Sequence, residues 1–300
     1  MHYLIFVIIA LVWGSGFYMM KLASPAFGPL SIGAGGTLGG AVVLWIFWAL
    51  AKGSWRIRRQ HILPLILVSV FSYMWPYTAQ PFLVNQIGHG FVGMMVSLVP
   101  VLTIVVSIPI LGIFPSRIQL AGVLIGMICI VLMVIDGLDR TAQPLFLVIA
   151  VSVPLCYATS NTVTQKSFRE IPPILLAAIF MTAATVFLTP LSLVVEDITI
   201  DENFITAIGA MLFLSVFARG VGMLLFYKLI KEKGPLFAGM VTYVIPLEAL
   251  MWSWFDNERV TAMQIAAIVI VLLMVGVVQR DIIQRSKELT QTNEAQGEVE

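Results

Sequence analysis

Two charged residues stand inside long apolar stretches of this sequence and give it the means for ionic chemistry. Arg219 lies roughly 12 Å from the nearer end of its stretch, and Glu248 about 20 Å into the next one, at about 1.5 Å per helical residue. A guanidinium suits a ligand carboxylate or phosphate, whereas a carboxyl group suits an amine or a transferable proton. The two side chains could equally form an internal ion pair, and Arg219 could snorkel and only orient its helix.

A second group of candidate residues is aromatic or carries an amide. Tyr73, Tyr77 and Gln80 follow one another at spacings of four and three, which places them on one face of a helix. Such a face can stack on an organic ligand and hydrogen-bond to it. Four weaker candidates for the same site are Trp13, Ser15, Asn161 and Tyr243. Ser15 and Asn161 could instead form hydrogen bonds between helices.

The remaining residues show no catalytic or metal-binding pattern. The three histidines are widely separated, and His89 is interpreted as an ordinary residue at a membrane interface. The glycines between residues 33 and 40 predict close helix packing rather than a phosphate loop. Without a nucleotide-binding motif, direct use of ATP is disfavoured. We therefore predict no catalytic site, no metal, no cofactor and no nucleic-acid partner.

The elements that must position these residues are membrane helices. Hydrophobic residues make up 59% of the chain and charged residues 11%, whereas about a quarter of the residues of soluble proteins are charged. Ten stretches are long enough to cross about 30 Å of hydrocarbon as helices. These segments cover residues 3–22, 29–51, 62–80, 88–113, 117–135, 145–165, 173–195, 204–227, 235–255 and 262–280. The lipid bilayer is the expected surrounding of the whole bundle.

Basic residues collect on one side of the membrane when the ten segments are threaded in order. Most of the 17 Lys and Arg residues fall in one set of connections, and the other set is richer in acidic residues. Because Lys and Arg favour the cytoplasmic side, both termini are predicted to be cytoplasmic. A cell membrane, of the bacterial inner-membrane type, is the expected location. Residues 282–300 are polar and are expected to form a disordered cytoplasmic tail.

The two halves of the chain are similar to each other. Phe91–Pro100 reads FVGMMVSLVP and Phe237–Pro246 reads FAGMVTYVIP, at an offset of 146 residues. An offset of 145 relates Lys21 to Lys166. Each half contains five segments, and because five is odd the second half enters the membrane from the opposite side. The halves are therefore predicted to be inverted repeats.

Inverted repeats allow two nearly equal conformations, each opening a site at the membrane midplane to one side, which is alternating access. We predict an all-helical integral membrane fold of ten transmembrane helices, with repeats at residues 1–140 and 141–281. Pro100 and Pro246 occupy equivalent positions and are expected to bend or hinge their helices. A duplicated structural or signalling bundle is the alternative explanation of the repeat.

Several short motifs accompany the repeat. They are Trp13-Gly14-Ser15 followed by Lys21, the proline-containing segments 4 and 9, and Asn257-Glu258-Arg259-Val260-Thr261 before the last segment. Together they resemble the EamA-type transporters of the drug/metabolite transporter superfamily. The equivalent turn of the first half, Phe114-Pro115-Ser116-Arg117, lacks the glutamate of such repeats. The resemblance implies a central cavity lined by segments 1–4 and 6–9, with segments 5 and 10 at the periphery.

The resemblance also implies transport of small organic metabolites, commonly outward. We therefore expect a secondary transporter, not an enzyme, for small polar or amphipathic metabolites such as amino-acid-like compounds. In this scheme Arg219 meets the acidic end of the ligand, and Glu248 meets its amine or a coupling proton. The sequence is compatible with proton coupling and with a homodimer. A lipid-handling or scaffold protein of the membrane is the alternative.

Overall fold

The fold consists of helices that pack into one bundle. The computed structural model describes residues 2–52, 57–112, 114–138, 143–226, 228–229, 232, 240–274, 276–277 and 280. Over these residues the regular structure is entirely helical, which confirms the all-helical part of the predicted fold class. The described helices are α1 His2–Ala23, α2 Pro29–Leu50, α3 Arg59–Ile87, α4 His89–Leu111, α5 Arg117–Leu138, α6 Pro144–Ser167, α7 Pro173–Val195, α8 Phe204–Phe226, α9 Ile245–Phe255 and α10 Ala262–Met274.

Seven of these helices, counted over the described residues, are long and apolar enough to cross a membrane: α1 to α4 and α6 to α8. α5, α9 and α10 correspond to predicted segments 5, 9 and 10, and their crossing of the membrane stays a prediction. Segment 3 was expected to end at residue 80, but α3 continues to Ile87. It ends there because Gly88 adopts a φ of 92°, which glycine accommodates without strain. The predicted tail, 282–300, lies outside the described residues.

Contacts between helix ends show that the helices run back and forth between two ends of the bundle. The end that carries Glu196, Asp256 and Glu258 is called the acidic end. There the carboxylate of Glu196, which follows α7, accepts hydrogen bonds of 2.9 and 2.8 Å from the backbone N–H groups of Leu30 and Ser31. This carboxylate satisfies free N–H groups at the start of α2 and complements its dipole.

The opposite end, which carries Arg59, Lys166 and Arg169, is called the basic end. Lys166 donates a 2.8 Å hydrogen bond to the backbone carbonyl of Ile110, which joins the last turns of α6 and α4. His61 and Phe168 place their rings 5.7 Å apart, so the start of α3 also meets the end of α6. These contacts agree with helices that alternate in direction through the bundle.

The turns that lead into α5 and α10 are built alike. Ser116 and Gln119 exchange two hydrogen bonds, from the Ser116 N–H to Gln119 Oε1 (3.0 Å) and from the Gln119 N–H to Ser116 Oγ (3.1 Å). Thr261 and Gln264 exchange the same two bonds, each of 3.2 Å. Both pairs are capping boxes that satisfy free N–H groups at a helix start. The repeat seen in the sequence is thus visible in local geometry.

Two departures from regular α-helix also occur at equivalent places. α3 contains a π-helical stretch at Ser69–Met74, and α8 contains one at Phe213–Val221. In the other helix pair, short 3₁₀ turns at Val96–Leu98 and Met240–Tyr243 come just before the predicted hinge prolines. Interruptions of this kind within long helices are frequent at hinges and functional sites. The sequence predicted a bend or hinge at each of the two prolines, but it did not predict the π-helical stretches.

Candidate functional site

A cavity of about 670 Å³ lies inside the bundle. Its described lining comes from α1, α3, α4, α6, α7, α8 and the beginning of α9, and it runs from Arg169 and Pro173 at the basic end to Met20 and Gln80. α5 and α10 were expected at the periphery, and none of their described residues reaches the cavity. α2 was expected to line the cavity as well. This expectation was wrong, because the described residues of α2 lie behind the helices that form the cavity wall.

Arg219 forms part of this wall and is held firmly. Its side chain is only 4% exposed, and Nη1 donates hydrogen bonds to the backbone carbonyls of Ile32 (3.0 Å) and Gly33 (3.4 Å) in α2. The Tyr77 ring lies 3.9 Å from the guanidinium carbon, a cation–π contact. Nη2 is buried and has no hydrogen-bond acceptor among the described residues. Within the described residues, the guanidinium therefore has one terminal nitrogen bound by the α2 backbone and one without an acceptor.

The glycines of α2 explain how this arrangement fits. A Cβ added to Gly36 would overlap the Arg219 guanidinium, and one added to Gly40 would lie 3.0 Å from the Arg219 Cβ. A Cβ on Gly33 would lie 2.9 Å from the backbone carbonyl oxygen of Tyr77. The predicted close helix packing is therefore confirmed. It also has a function that the sequence did not indicate, because it leaves room for the arginine to reach the α2 backbone.

Most of the predicted site residues line one cavity. They are Arg219, Tyr73, Tyr77, Gln80, Trp13 and Asn161. Trp13 donates a 2.9 Å hydrogen bond to the backbone carbonyl of Ala218, which ties α1 to α8 beside the arginine. Sequence reasoning missed Tyr157 of α6, which lines the same cavity and donates to Gln80 Oε1 at 3.4 Å. Tyr157 is separated from Asn161 by one helical turn, a spacing that could have identified it.

Glu248 and Ser15 are not brought to the cavity. Glu248 is 7% exposed, its side chain occupies the space beside Gly14 of α1, and its Oε2 has no partner among the described residues. It forms no ion pair with Arg219 in that part of the chain. Ser15 accepts a 3.0 Å hydrogen bond from Trp252 Nε1, so the alternative of a bond between helices is the correct one. The side chain of Tyr243 lies outside the described part of the structure.

A group of four charged or titratable residues closes the acidic end beyond the cavity. Lys21 of α1 pairs with Asp256 at the end of α9. His89, completely buried at the start of α4, places Nε2 3.0 Å from Asp256 Oδ2 and 3.4 Å from Glu258 Oε1. We call Lys21, His89, Asp256 and Glu258 the acidic-end cluster. It joins α1, α4 and the α9–α10 turn.

Glu258 also caps α4. Its two carboxylate oxygens accept hydrogen bonds from the backbone N–H groups of His89 (2.9 Å) and Gly90 (3.0 Å). A carboxylate at a helix start is favoured by the free N–H groups and by the helix dipole. His89 is therefore not the ordinary interfacial residue that the sequence suggested. The signal that could have found this contact was the Glu258 motif, but its partner lies far away in the chain.

The electrostatics of the acidic-end cluster depend on Asp256. Its partial burial alone would raise the pKa of the carboxyl group, but hydrogen bonds and charge from Lys21 and His89 outweigh this effect. The pKa of Asp256 is accordingly lower than usual. His89, Asp256 and Glu258 each offer a ligand atom within 4.8 Å of the others. The lysine and the two backbone N–H groups already occupy the carboxylates, so the geometry is that of an ion-paired contact.

Comparisons with known proteins agree with this architecture. The EamA-like transporter family matches residues 1–135 and 145–279. An uncharacterized transporter of Bacillus subtilis (strain 168), YvbV, is 23% identical over 277 residues, which cover 92% of this chain and 90% of that protein. A solved crystal structure, 15% identical, superimposes with a TM-score of 0.64 over 92% of this chain and 96% of the other. At this identity the last comparison concerns the fold alone.

Proposed function

Because the chain belongs to the EamA-like transporter family, we propose that it is a secondary transporter that carries a small organic metabolite by alternating access. The observation that carries the proposal is a cavity that reaches the buried Arg219 from the basic end. Exposed residues of α6 and the following turn, Gln165 and Arg169, lie at its mouth. The acidic-end cluster closes the opposite end. The described lining reaches the basic end and stops short of the acidic-end cluster, and a site open to one side at a time is what alternating access requires.

We propose outward transport, which is compatible with the proposed orientation. The basic end carries the Lys and Arg residues that favour the cytoplasmic side, so we place it and both termini in the cytoplasm of a cell, with the bundle in the cell membrane of a bacterium. The cavity then opens to the cytoplasm and takes up its substrate there. Opening of the acidic end would then release the substrate outside, which is the exporting direction of the cycle.

The residues of the wall have distinct roles in this scheme. Arg219 binds the acidic end of the substrate, and Tyr73, Tyr77 and Gln80 contact its body. Glu248 packs between α9 and α1, and its Oε2 lacks a partner within the described residues. Its position beside the cavity rather than in it suits a coupling proton better than a substrate amine. A proton carried there would influence the packing of α1 against α9 as the bundle changes conformation.

Uptake and counterflow in proteoliposomes test the transport function directly. Labelled amino acids, nucleobases, organic acids and cationic drugs are compared in the wild type, Arg219→Gln and Arg117→Gln. Arg117 is an exposed arginine at the start of α5 and is not part of the cavity wall. We expect saturable flux in the wild type and Arg117→Gln, and its loss in Arg219→Gln. Flux of no compound class, in vesicles that hold an active control transporter, would contradict the proposal.

A further inference from the structure

The charged residues in the described lining of the cavity are all basic. The described residues of its lining include two arginines, Arg169 and Arg219, and no Asp or Glu. Glu248, which the sequence suggested as the receptor of a substrate amine, lies outside the lining and against Gly14. A buried ammonium group without a partner is costly. A zwitterionic substrate would therefore gain binding free energy at its acidic end and lose binding free energy at its amine.

The guanidinium of Arg219 can donate hydrogen bonds to one more acceptor. Its Nη1 is committed to the α2 backbone, and Tyr77 covers one face of the group. The buried Nη2 has no acceptor in the part of the chain that the structure describes. Because an unmade hydrogen bond from a buried charged donor is expensive, an oxyanion that reached this nitrogen from the cavity, after a small movement of the side chains around it, would be strongly favoured. Arg169 lies at the mouth of the cavity, so a single guanidinium faces the buried part of the site, and a monoanion suits that part better than a phosphate dianion.

The rest of the wall suits an aromatic body. Rings from α1, α3, α6 and α7 surround the space next to the arginine: Trp13, Phe17, Tyr73, Tyr77, Tyr157 and Phe180. Tyr73 stands edge-on to Tyr77 at 5.5 Å and lies 5.7 Å from Phe180, which makes a continuous aromatic surface. A volume of about 670 Å³ admits a compound of one or two rings with room for movement.

We infer that the substrates are organic monoanions with an aromatic or bulky apolar body, such as arylalkyl carboxylates and sulfonates, rather than amino-acid zwitterions or cations. This inference rests on the proposed transport function, because only a transporter has transport substrates. Its test is independent of transport, because binding to the purified protein measures the selectivity of the site directly. The inference proposes a substrate class different from the amino-acid-like compounds expected from the sequence.

Three compounds with one common skeleton provide the probe. 3-Phenylpropionate, phenylalanine and phenethylamine share a phenylethyl body and carry respectively an anion, both charges and a cation. Their affinities for the purified full chain at neutral pH are measured by isothermal titration calorimetry. We expect 3-phenylpropionate to bind roughly tenfold or more tightly than phenylalanine, because the buried ammonium lacks a partner, and phenethylamine not to bind. Equal or tighter binding of phenylalanine or phenethylamine, or no binding of any of the three, would overturn the inference.

Variants separate the arginine from the rest of the protein. Arg219→Lys keeps the charge but loses the planar group that stacks on Tyr77, and it is expected to weaken 3-phenylpropionate binding while the fold is retained. Arg117→Gln is the matched control and should bind as the wild type does. Unchanged binding in Arg219→Lys and Arg219→Gln would overturn the assignment to this residue.

Flux measurements on the same compounds distinguish the two proposals. Selective binding of 3-phenylpropionate without flux in proteoliposomes would support the substrate class and contradict the transport function. Saturable flux of phenylalanine at least equal to that of 3-phenylpropionate would support transport and overturn the substrate class.

Discussion

Glu258 and Gly90 are joined by a 3.0 Å hydrogen bond from the Gly90 backbone N–H to a carboxylate oxygen, and this bond fastens α4 to the α9–α10 turn. At the offset of 145 residues, the first repeat has Ile113 in place of Glu258. At the offset of 146, the second repeat has Pro235, which has no backbone N–H, in place of His89. At these aligned positions the sequence therefore provides the carboxylate cap at the acidic end and not its counterpart at the other end. This asymmetry favours the conformation in which the acidic end is closed.

Substitution Glu258→Gln should loosen that end. Glutamine has a similar shape but loses the negative charge and one acceptor oxygen, and a hydrogen bond to a charged group contributes about 1.5 kcal/mol or more. We expect amide hydrogen exchange of residues 88–93 to become roughly tenfold faster in the purified protein. Glu232→Gln, which removes a carboxylate that pairs with His2 instead, is the control. Unchanged exchange at residues 88–93 in Glu258→Gln would show that the cap does not hold α4.

Acid should weaken the same end through Asp256. Because Lys21 and His89 keep the pKa of Asp256 below its usual value, its ion pair stabilises the fold fully above about pH 3.9, the ordinary Asp value. That stability is lost as the pH falls further. Thermal midpoints measured from pH 7 to 3 should therefore show a deficit in Asp256→Asn at neutral pH that shrinks in acid. A deficit of constant size, or an equal one in Asp197→Asn, an exposed site, would contradict this.

Features that depend on local sequence were predictable from the chain. The offset of 145 residues relates Gly112 to Asn257, and both have positive φ, 69° and 53°, where a helix ends. Glycine and asparagine are the residues that adopt this conformation most readily. Tyr73, Tyr77 and Gln80 line the cavity together, as expected from helical periodicity, which alone places them on one face.

The errors concern contacts between helices distant in sequence. Depth in the membrane identified Glu248 as a candidate but could not tell on which side of α9 it lies, and Gly14 of α1 accommodates it. The α2 glycines were recognised as packing residues, yet only the fold shows that Arg219 is what they accommodate. His89 and Asp256 belong to different repeats, so no spacing rule connects them.

Substitution Gly36→Ala tests the close approach of α2 to Arg219. An added Cβ would overlap the guanidinium, so the arginine must leave its backbone acceptors or the helices must separate. Overpacking of this kind costs about 1–3 kcal/mol. We expect a lower thermal midpoint and weaker binding of 3-phenylpropionate. Gly209→Ala is the control because its Cβ would meet no atom within 4 Å. Equal behaviour of the two variants would show that α2 can yield without affecting the site.

Substitution Pro100→Ala tests the proposed hinge of α4. Pro100 follows the 3₁₀ turn Val96–Leu98, as Pro246 follows the turn Met240–Tyr243. Alanine would allow the α-helix to continue through this break, which would stiffen the joint between the closed acidic end and the rest of α4. We expect the turnover rate in proteoliposomes to fall while the affinity for 3-phenylpropionate stays within about twofold, since rate then depends on the conformational step.

The control for this variant is Pro109→Ala, a proline inside the last two turns of the same helix and away from the 3₁₀ turn. It removes one ring from α4 without restoring helix at the break, so its turnover should match that of the wild type. Pro246→Ala should reproduce the effect of Pro100→Ala, because the two prolines occupy equivalent positions in the two repeats. Slowing in Pro109→Ala as well would assign the effect to general stiffness of α4 and not to a hinge.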